Sequence, residues 1–150
     1  GSCSARSSRI SRAMAEMSRD QIEAGLDWRY TPSRIAALIG EHDTMALVAG
    51  AGPHILGFAV MHFGDDEAHL VLLCVRPAQR RRGIGRGLLD WLLESARVAG
   101  IRTIGLELRA DNAAALAFYR RLGFVQGQAV AGYYGAGIAA QRMMLRLGAG

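Results

Sequence analysis

A chain of 150 residues fits one domain, expected here over 1–150, and leaves little room for a second. Its content of 51% hydrophobic and 21% charged residues supplies one sizeable core, and no apolar run reaches the ~18 residues of a membrane span, so neither a transmembrane helix nor a membrane partner is expected. The net charge of +5 comes from 18 basic residues that are all arginine; this excess attracts polyanions and leaves nucleic acid, an anionic surface and a phosphorylated ligand open until the charges are placed.

Gly1-Ser2 reads as a cloning remnant, and 1–9 as a tag or frayed terminus. The Ser- and Arg-rich, acid-free start has the composition of a transit peptide as well, but no secretory segment is evident. Ile10, Ala13, Met14 and Met17 recur at helical spacing and predict a helix that ends near Gly25. Trp28-Arg29-Tyr30 forms an aromatic connector. Thr31-Pro32 then opens a short helix, with Thr as N-cap and Pro at the first helical position, and Gly40 ends it. Strands follow over Met45–Ala49, Ile55–Phe63 and Ala68–Val75, the last two joined by a turn at Gly64-Asp65-Asp66. A long helix from Ile84 to Ala99 carries the stripe Ile84, Leu88, Leu92, Ala96, widened by Leu89 and Leu93, and Gly100 closes it. Thr103–Leu108 reads as a strand and Asn112–Leu122 as a helix capped by Gly123. Phe124–Val130 and Gln141–Leu147 are two last strands around a Gly- and Tyr-rich loop. The order predicts an α/β fold around one sheet. Cys3 and Cys74 stand far apart, one in the polar start and one in an apolar run, which predicts free thiols, no metal site and a reduced, cytoplasmic setting.

The segment from Val75 to Leu89 is the most informative. An apolar strand enters a Pro-broken loop of consecutive arginines and closely spaced glycines, and a helix starts at once. Free N–H groups at a helix N-terminus, glycines that allow close approach and arginines that donate charged hydrogen bonds together suit an anion. No Gly-Lys-Ser/Thr follows, so this is not a P-loop, and the glycine spacing does not fit a dinucleotide fingerprint.

Arg80-x-x-Gly83-x-Gly85, preceded by Val75-x-Pro77 and followed by Leu88-Leu89, resembles the acetyl-CoA motif of the GNAT N-acetyltransferase superfamily. Asn112-x-x-Ala115-x-x-Phe118-Tyr119-x-x-Leu122-Gly123-Phe124 resembles its second motif, in the right order and at the right separation. The resemblance runs from about residue 45 to the end. It implies a single mixed sheet with helices on both faces, whose splayed central strands hold the coenzyme. Acetyl-CoA is the implied co-substrate, with no metal. The loop of Arg80, Arg81, Arg82, Gly83, Ile84, Gly85 and Arg86 would grip its pyrophosphate by backbone amides. The backbone of Leu73, Cys74 and Val75 would meet the pantetheine arm, with Asn112, Ala115 and Phe118 beside it.

Acetyl transfer to an amine needs a base for the amine, a donor for the thioester oxygen and an acid for the departing thiolate. By family position Tyr119 is the candidate acid, although an aromatic at helical spacing with Leu116 and Leu122 also reads as core. The oxyanion donor would be a backbone N–H near Leu73 or Cys74. Two residues compete as base. His69 stands where many relatives place a glutamate, and a free imidazole titrates near 6.5. Glu107 alternates with Leu106 and Leu108 and lies 12 residues before Tyr119, an offset shared with relatives of the RimI-like branch, which acetylate protein N-termini. An ion pair with a nearby arginine is the plainer role for Glu107.

The resemblance leaves the acceptor open between a small-molecule amine and a protein N-terminus. Trp28 and Tyr30 fall in the connector that borders the acceptor cleft in relatives. Tyr133-Tyr134 matches a Tyr-Tyr pair of the RimI-like enzymes, without the acids that commonly follow it there. A homodimer stays open. Two other functions compete: an acetyl-CoA-binding regulatory module without turnover, and an arginine-rich nucleic-acid-binding domain. The second would need basic residues spread with exposed aromatics along a face, whereas the densest run sits at the coenzyme loop, so nucleic acid is not expected as a partner.

Overall fold

The computed structural model describes residues 12–17, 31–50, 55–76, 83–130 and 139–147. Residues 12–17 are helical (α1) and bury Met14, Ala15 and Met17; the rest of that predicted helix and Cys3 lie outside the described residues. The predicted elements follow in order, with ends moved by one or two residues: α2 (Pro32–Ile39), β1 (Thr44–Ala49), β2 (Gly57–Phe63), β3 (Glu67–Val75), α3 (Ile84–Val98), β4 (Thr103–Arg109), α4 (Ala113–Arg121), β5 (Val125–Val130) and β6 (Ala140–Arg146). The caps act as their chemistry requires. Thr31 Oγ1 accepts from Arg34 N–H at 3.4 Å, and Asn112 Oδ1 accepts from Ala115 N–H at 3.1 Å. Gly100 and Gly123 close α3 and α4 at φ of 86° and 99°, where a side chain would be strained.

The strands form one open sheet in the order β1-β2-β3-β4-β6-β5, with every pair antiparallel except β3 and β4. Two apolar cores cover its faces. On one face α3 and α4 place Leu88, Leu89, Leu92, Ala96 and Tyr119 over Ala59, Met61, Ala68, Leu70, Ile104, Leu106 and Met143. On the other, α1 and α2 place Met14, Met17 and Ile35 over Phe58, Val60, Leu72 and Cys74. β2 serves both cores, so its run Gly57–Met61 is buried throughout and lacks polar alternation.

One extra residue in β3 decides which core its side chains enter. Val60 pairs with Leu72 and Met61 with Leu70, which leaves Val71 as a bulge. Regular alternation would put Ala68, Leu70, Leu72 and Cys74 on one face. With the bulge, Ala68 and Leu70 join the α3/α4 core, and Leu72 and Cys74 the α1/α2 core. Cys74 is buried, as its apolar setting predicts.

β3 and β4 pair only at Glu67–Thr103, Ala68–Ile104 and His69–Gly105. This closed end is anchored by the Asp66 carbonyl, which accepts from Arg102 N–H at 2.7 Å. Beyond it, β3 stays with β2 as far as Val75, and β4 stays with β6 as far as Arg109. The two strands therefore diverge into a V, as the predicted splay requires, and the bulge at Val71 bends β3 just where pairing stops.

Two glycines around this frame should respond with opposite signs. A Cβ on Gly57 would stand 2.9 Å from the Cys74 carbonyl oxygen and 3.2 Å from Ile84 Cγ2, so backbone must move. Gly57→Ala should lower unfolding free energy by about 1–3 kcal/mol in urea titrations. A Cβ on Gly87, inside α3, would meet nothing within 4 Å. Gly87→Ala should raise stability by about 0.5–1 kcal/mol, the usual helical gain over glycine. A loss at Gly87 or a gain at Gly57 would contradict this packing.

Candidate active site

Among the described residues, the V between β3 and β4 leaves backbone without sheet partners. Arg76 N–H donates to Leu56 O at 2.9 Å, which sets the phase of the β2–β3 ladder. By antiparallel alternation the polar groups of Cys74 then turn toward Phe58, and those of Leu73 and Val75 turn away from β2, into the gap. Of the two residues expected to supply a backbone donor there, this phase selects Leu73.

The N-terminus of α3 stands at the open end of the V. Gly83 is its N-cap at φ of 78°, with no side-chain cap among the described residues, and the first N–H groups of the helix have no partner within the helix itself. A Cβ on Gly85 would lie 3.4 Å from Val75 Cγ2 and 3.7 Å from Phe118 Cζ. The end of β3, the start of α3 and the side of α4 thus converge around Gly85, which brings the two motifs together. Gly83, Ile84, Gly85 and Arg86 form the start of α3, Asn112 and Ala115 stand at the start of α4, and Phe118 lies beside Gly85. Arg80, Arg81 and Arg82 lie outside the described residues, as do Trp28, Tyr30, Tyr133 and Tyr134. Asn112 is exposed, and its Oδ1 is engaged as the cap of α4.

Tyr119 projects from α4 into the α3/α4 core and is 8% exposed. Its ring packs edge-on against Phe118 and Phe124, with centroids 5.1 and 5.4 Å away. The core role foreseen for this position is real, and any chemistry of the hydroxyl is added to it.

At the closed end of the V, on the face of α1 and α2, stand the two residues read as rival bases. They are bonded to each other: His69 Nε2 meets Glu107 Oε2. Register explains the meeting. His69 pairs with Gly105, and Glu107 is the next β4 residue on that face. Glu107 Oε1 also lies 3.6 Å from Arg142 Nε on β6, its direct cross-strand partner. The imidazole is 44% exposed and the carboxylate 18%, so the pair is open to a ligand at its histidine end. His62 is exposed on the neighbouring strand, with Thr44 Oγ1 3.4 Å from its Nδ1.

Sequence reasoning foresaw an arginine paired with Glu107 without identifying it as Arg142, and it missed Gly57. Arg142 occupies an outward position of the last strand, but its partner depends on the β4–β6 register. Gly57 looks like an ordinary strand start, and the need for a missing Cβ arises only once β3 and α3 pack on it. Among the described residues no group of three His, Cys, Asp or Glu side chains is placed to hold a metal ion. Nor is any helix among them long and apolar enough to cross a membrane.

The profile of the acetyltransferase (GNAT) family matches residues 11–124. The chain belongs to that family. The match begins well before residue 45, so the family likeness also takes in α1 and α2. The "[Ribosomal protein bS18]-alanine N-acetyltransferase" of Escherichia coli strain K12 is 42% identical over 77 residues, which are 51% of this chain and 52% of that protein. The chain thus spans about half the length of this curated relative. Among solved structures, the ribosomal-protein-S18-alanine N-acetyltransferase from Escherichia coli superposes with a TM-score of 0.80 at 25% identity, over 95% of this chain and 89% of that one. Ard1 from Thermoplasma volcanium gives 0.80 at 26% identity, over 93% of each. The mixed, open sheet with helices on both faces is therefore the GNAT fold.

Proposed function

We propose that this GNAT chain transfers an acetyl group from acetyl-CoA directly to an amine, and that the acceptor is the α-amino group of a protein N-terminus. The observation that carries the reading is the V between β3 and β4 with the α3 N-terminus at its mouth. An amide-containing arm such as pantetheine satisfies the free backbone of Leu73 and Val75 as an added strand would. The N–H groups from Gly83 to Arg86 suit a pyrophosphate, because the helix dipole and free donors both favour negative charge. Arg80, Arg81 and Arg82 adjoin them in sequence and supply countercharge.

In the proposed reaction the acceptor nitrogen bonds to the acetyl carbon as the carbon–sulfur bond breaks. The nitrogen's proton passes to the His69–Glu107 pair and on to solvent. The Leu73 N–H steadies the carbonyl oxygen as charge grows. Tyr119 supplies the proton that converts the departing thiolate to thiol. The α1/α2 face, where His69 is half-exposed, is the side from which the amine approaches. A protein N-terminus is favoured as acceptor by the likeness to the bS18-alanine acetyltransferase and by Glu107 standing 12 residues before Tyr119. Trp28, Tyr30, Tyr133 and Tyr134 are the candidate acceptor contacts.

The test combines acetyl-CoA with a peptide that begins with alanine, the same peptide already Nα-acetylated, and a small diamine, following thiol release and product mass. Acetylation of the free N-terminus alone supports the proposal. Turnover of the diamine alone would assign a small-amine acceptor, and binding without any thiol release would leave a regulatory module. Tyr119→Phe keeps the ring packing and removes the proton. It should lower kcat by about 10²-fold with little change in KM for acetyl-CoA, and an unchanged kcat would return Tyr119 to the core.

A further inference from the structure

Three strands carry one connected set of polar side chains at the closed end of the V. Arg142 on β6 faces Glu107 on β4, and Glu107 reaches His69 on β3. The two carboxylate oxygens are divided between the partners: Oε1 lies 3.6 Å from Arg142 Nε, and Oε2 meets His69 Nε2. A carboxylate only accepts hydrogen bonds, so Nε2 must be the donor. The neutral imidazole then keeps its proton on Nε2 and its lone pair on Nδ1.

We infer that Arg142 is a positioning residue for acetyl transfer: it holds Glu107 so that the carboxylate orients His69 with Nδ1 as the atom that takes the amine proton. The inference rests on the proposed base. The geometry favours it over a purely structural ion pair for two reasons. Glu107 is among the first β4 residues past the last β3–β4 pair, so no neighbouring backbone of β3 fixes its side chain on that side. The cross-strand neighbour that does is Arg142, at the matching register position. The carboxylate is 18% exposed and mostly shielded, whereas Arg142 is 49% exposed, so the guanidinium screens the outer side of the carboxylate and leaves the imidazole edge free. The imidazole gains a proton on Nδ1 as the amine loses one, and the positive charge so formed faces the Glu107 carboxylate. That charge is stabilised only while the carboxylate stays in place.

The experiment is a mutant cycle on kcat, with the acceptor peptide that turns over. Arg142→Gln should lower kcat on the order of 10-fold, the usual scale for a group that orients a functional imidazole, with KM for acetyl-CoA unchanged. Arg142→Lys, which keeps the charge, should recover most of the loss. In a Glu107→Gln background Arg142→Gln should cost nothing further, because its effect passes through Glu107. In ¹H–¹⁵N spectra the His69 Nε2 proton should be visible in the parent and broadened by exchange in Arg142→Gln. Full activity of Arg142→Gln beside impaired His69→Gln and Glu107→Gln would remove the role of Arg142 alone. An equal loss from Arg142→Gln in both backgrounds would also overturn it, since Arg142 would then act on something other than Glu107. Full activity of His69→Gln and Glu107→Gln would sink the base assignment itself, and the role of Arg142 with it.

Discussion

Everything that makes this sheet a candidate site follows from a parallel pair of strands that stops pairing after His69 and Gly105. Backbone N–H and C=O groups need partners, and a buried group left without one costs about 1–3 kcal/mol. In most sheets the neighbouring strand meets that need. Here, among the described residues, the inner edges of β3 and β4 have no strand partner beyond His69 and Gly105. A ligand with its own amides spaced along a thin chain can replace the missing strand, and it is held by groups that any sequence could supply. In the proposed function backbone therefore provides much of the recognition, and the side chains decide the chemistry.

The V persists because each arm is fixed from its far side. β3 is held by its whole ladder to β2, and β4 by its whole ladder to β6. The bulge at Val71 bends one arm and also sends Leu72 and Cys74 into the α1/α2 core while Leu70 stays with α3 and α4. β3 is thus packed on both faces and β4 on the α3/α4 face, and closing the V would require moving buried apolar groups whose burial contributes roughly 1.5–3 kcal/mol apiece. Gly57 lets α3 settle against the ends of β2 and β3, so its N-terminus faces the V. At the closed end the same divergence leaves room for His69 and Glu107 to meet.

Most elements were legible in the sequence because their signals are local. Thr31-Pro32 announces a helix start, Gly100 and Gly123 announce ends, and the stripe of α3 follows from residues four apart. The two GNAT motifs were legible for the same reason, being short and contiguous. What escaped was whatever depends on register. His69 and Glu107 are 38 residues apart, and they read as competitors because nothing in either neighbourhood says that a parallel pairing places them side by side. Arg142 needed a second register, between β4 and β6, to be seen at all. The bulge at Val71 is invisible in an apolar run such as Leu70 to Val75, since alternation cannot be checked where every residue is hydrophobic.

Amide hydrogen exchange at Leu73 and Val75 tests the central claim most directly, because it reads the backbone groups that the V leaves open. In the free protein these two amides should exchange much faster than those of Leu72 and Cys74, whose N–H groups belong to the β2 ladder. Saturating acetyl-CoA should slow Leu73 and Val75 by at least about tenfold and leave Leu72 and Cys74 nearly unchanged. Equal protection of all four in the free protein, or no slowing at Leu73 and Val75 when acetyl-CoA is bound, would contradict the account.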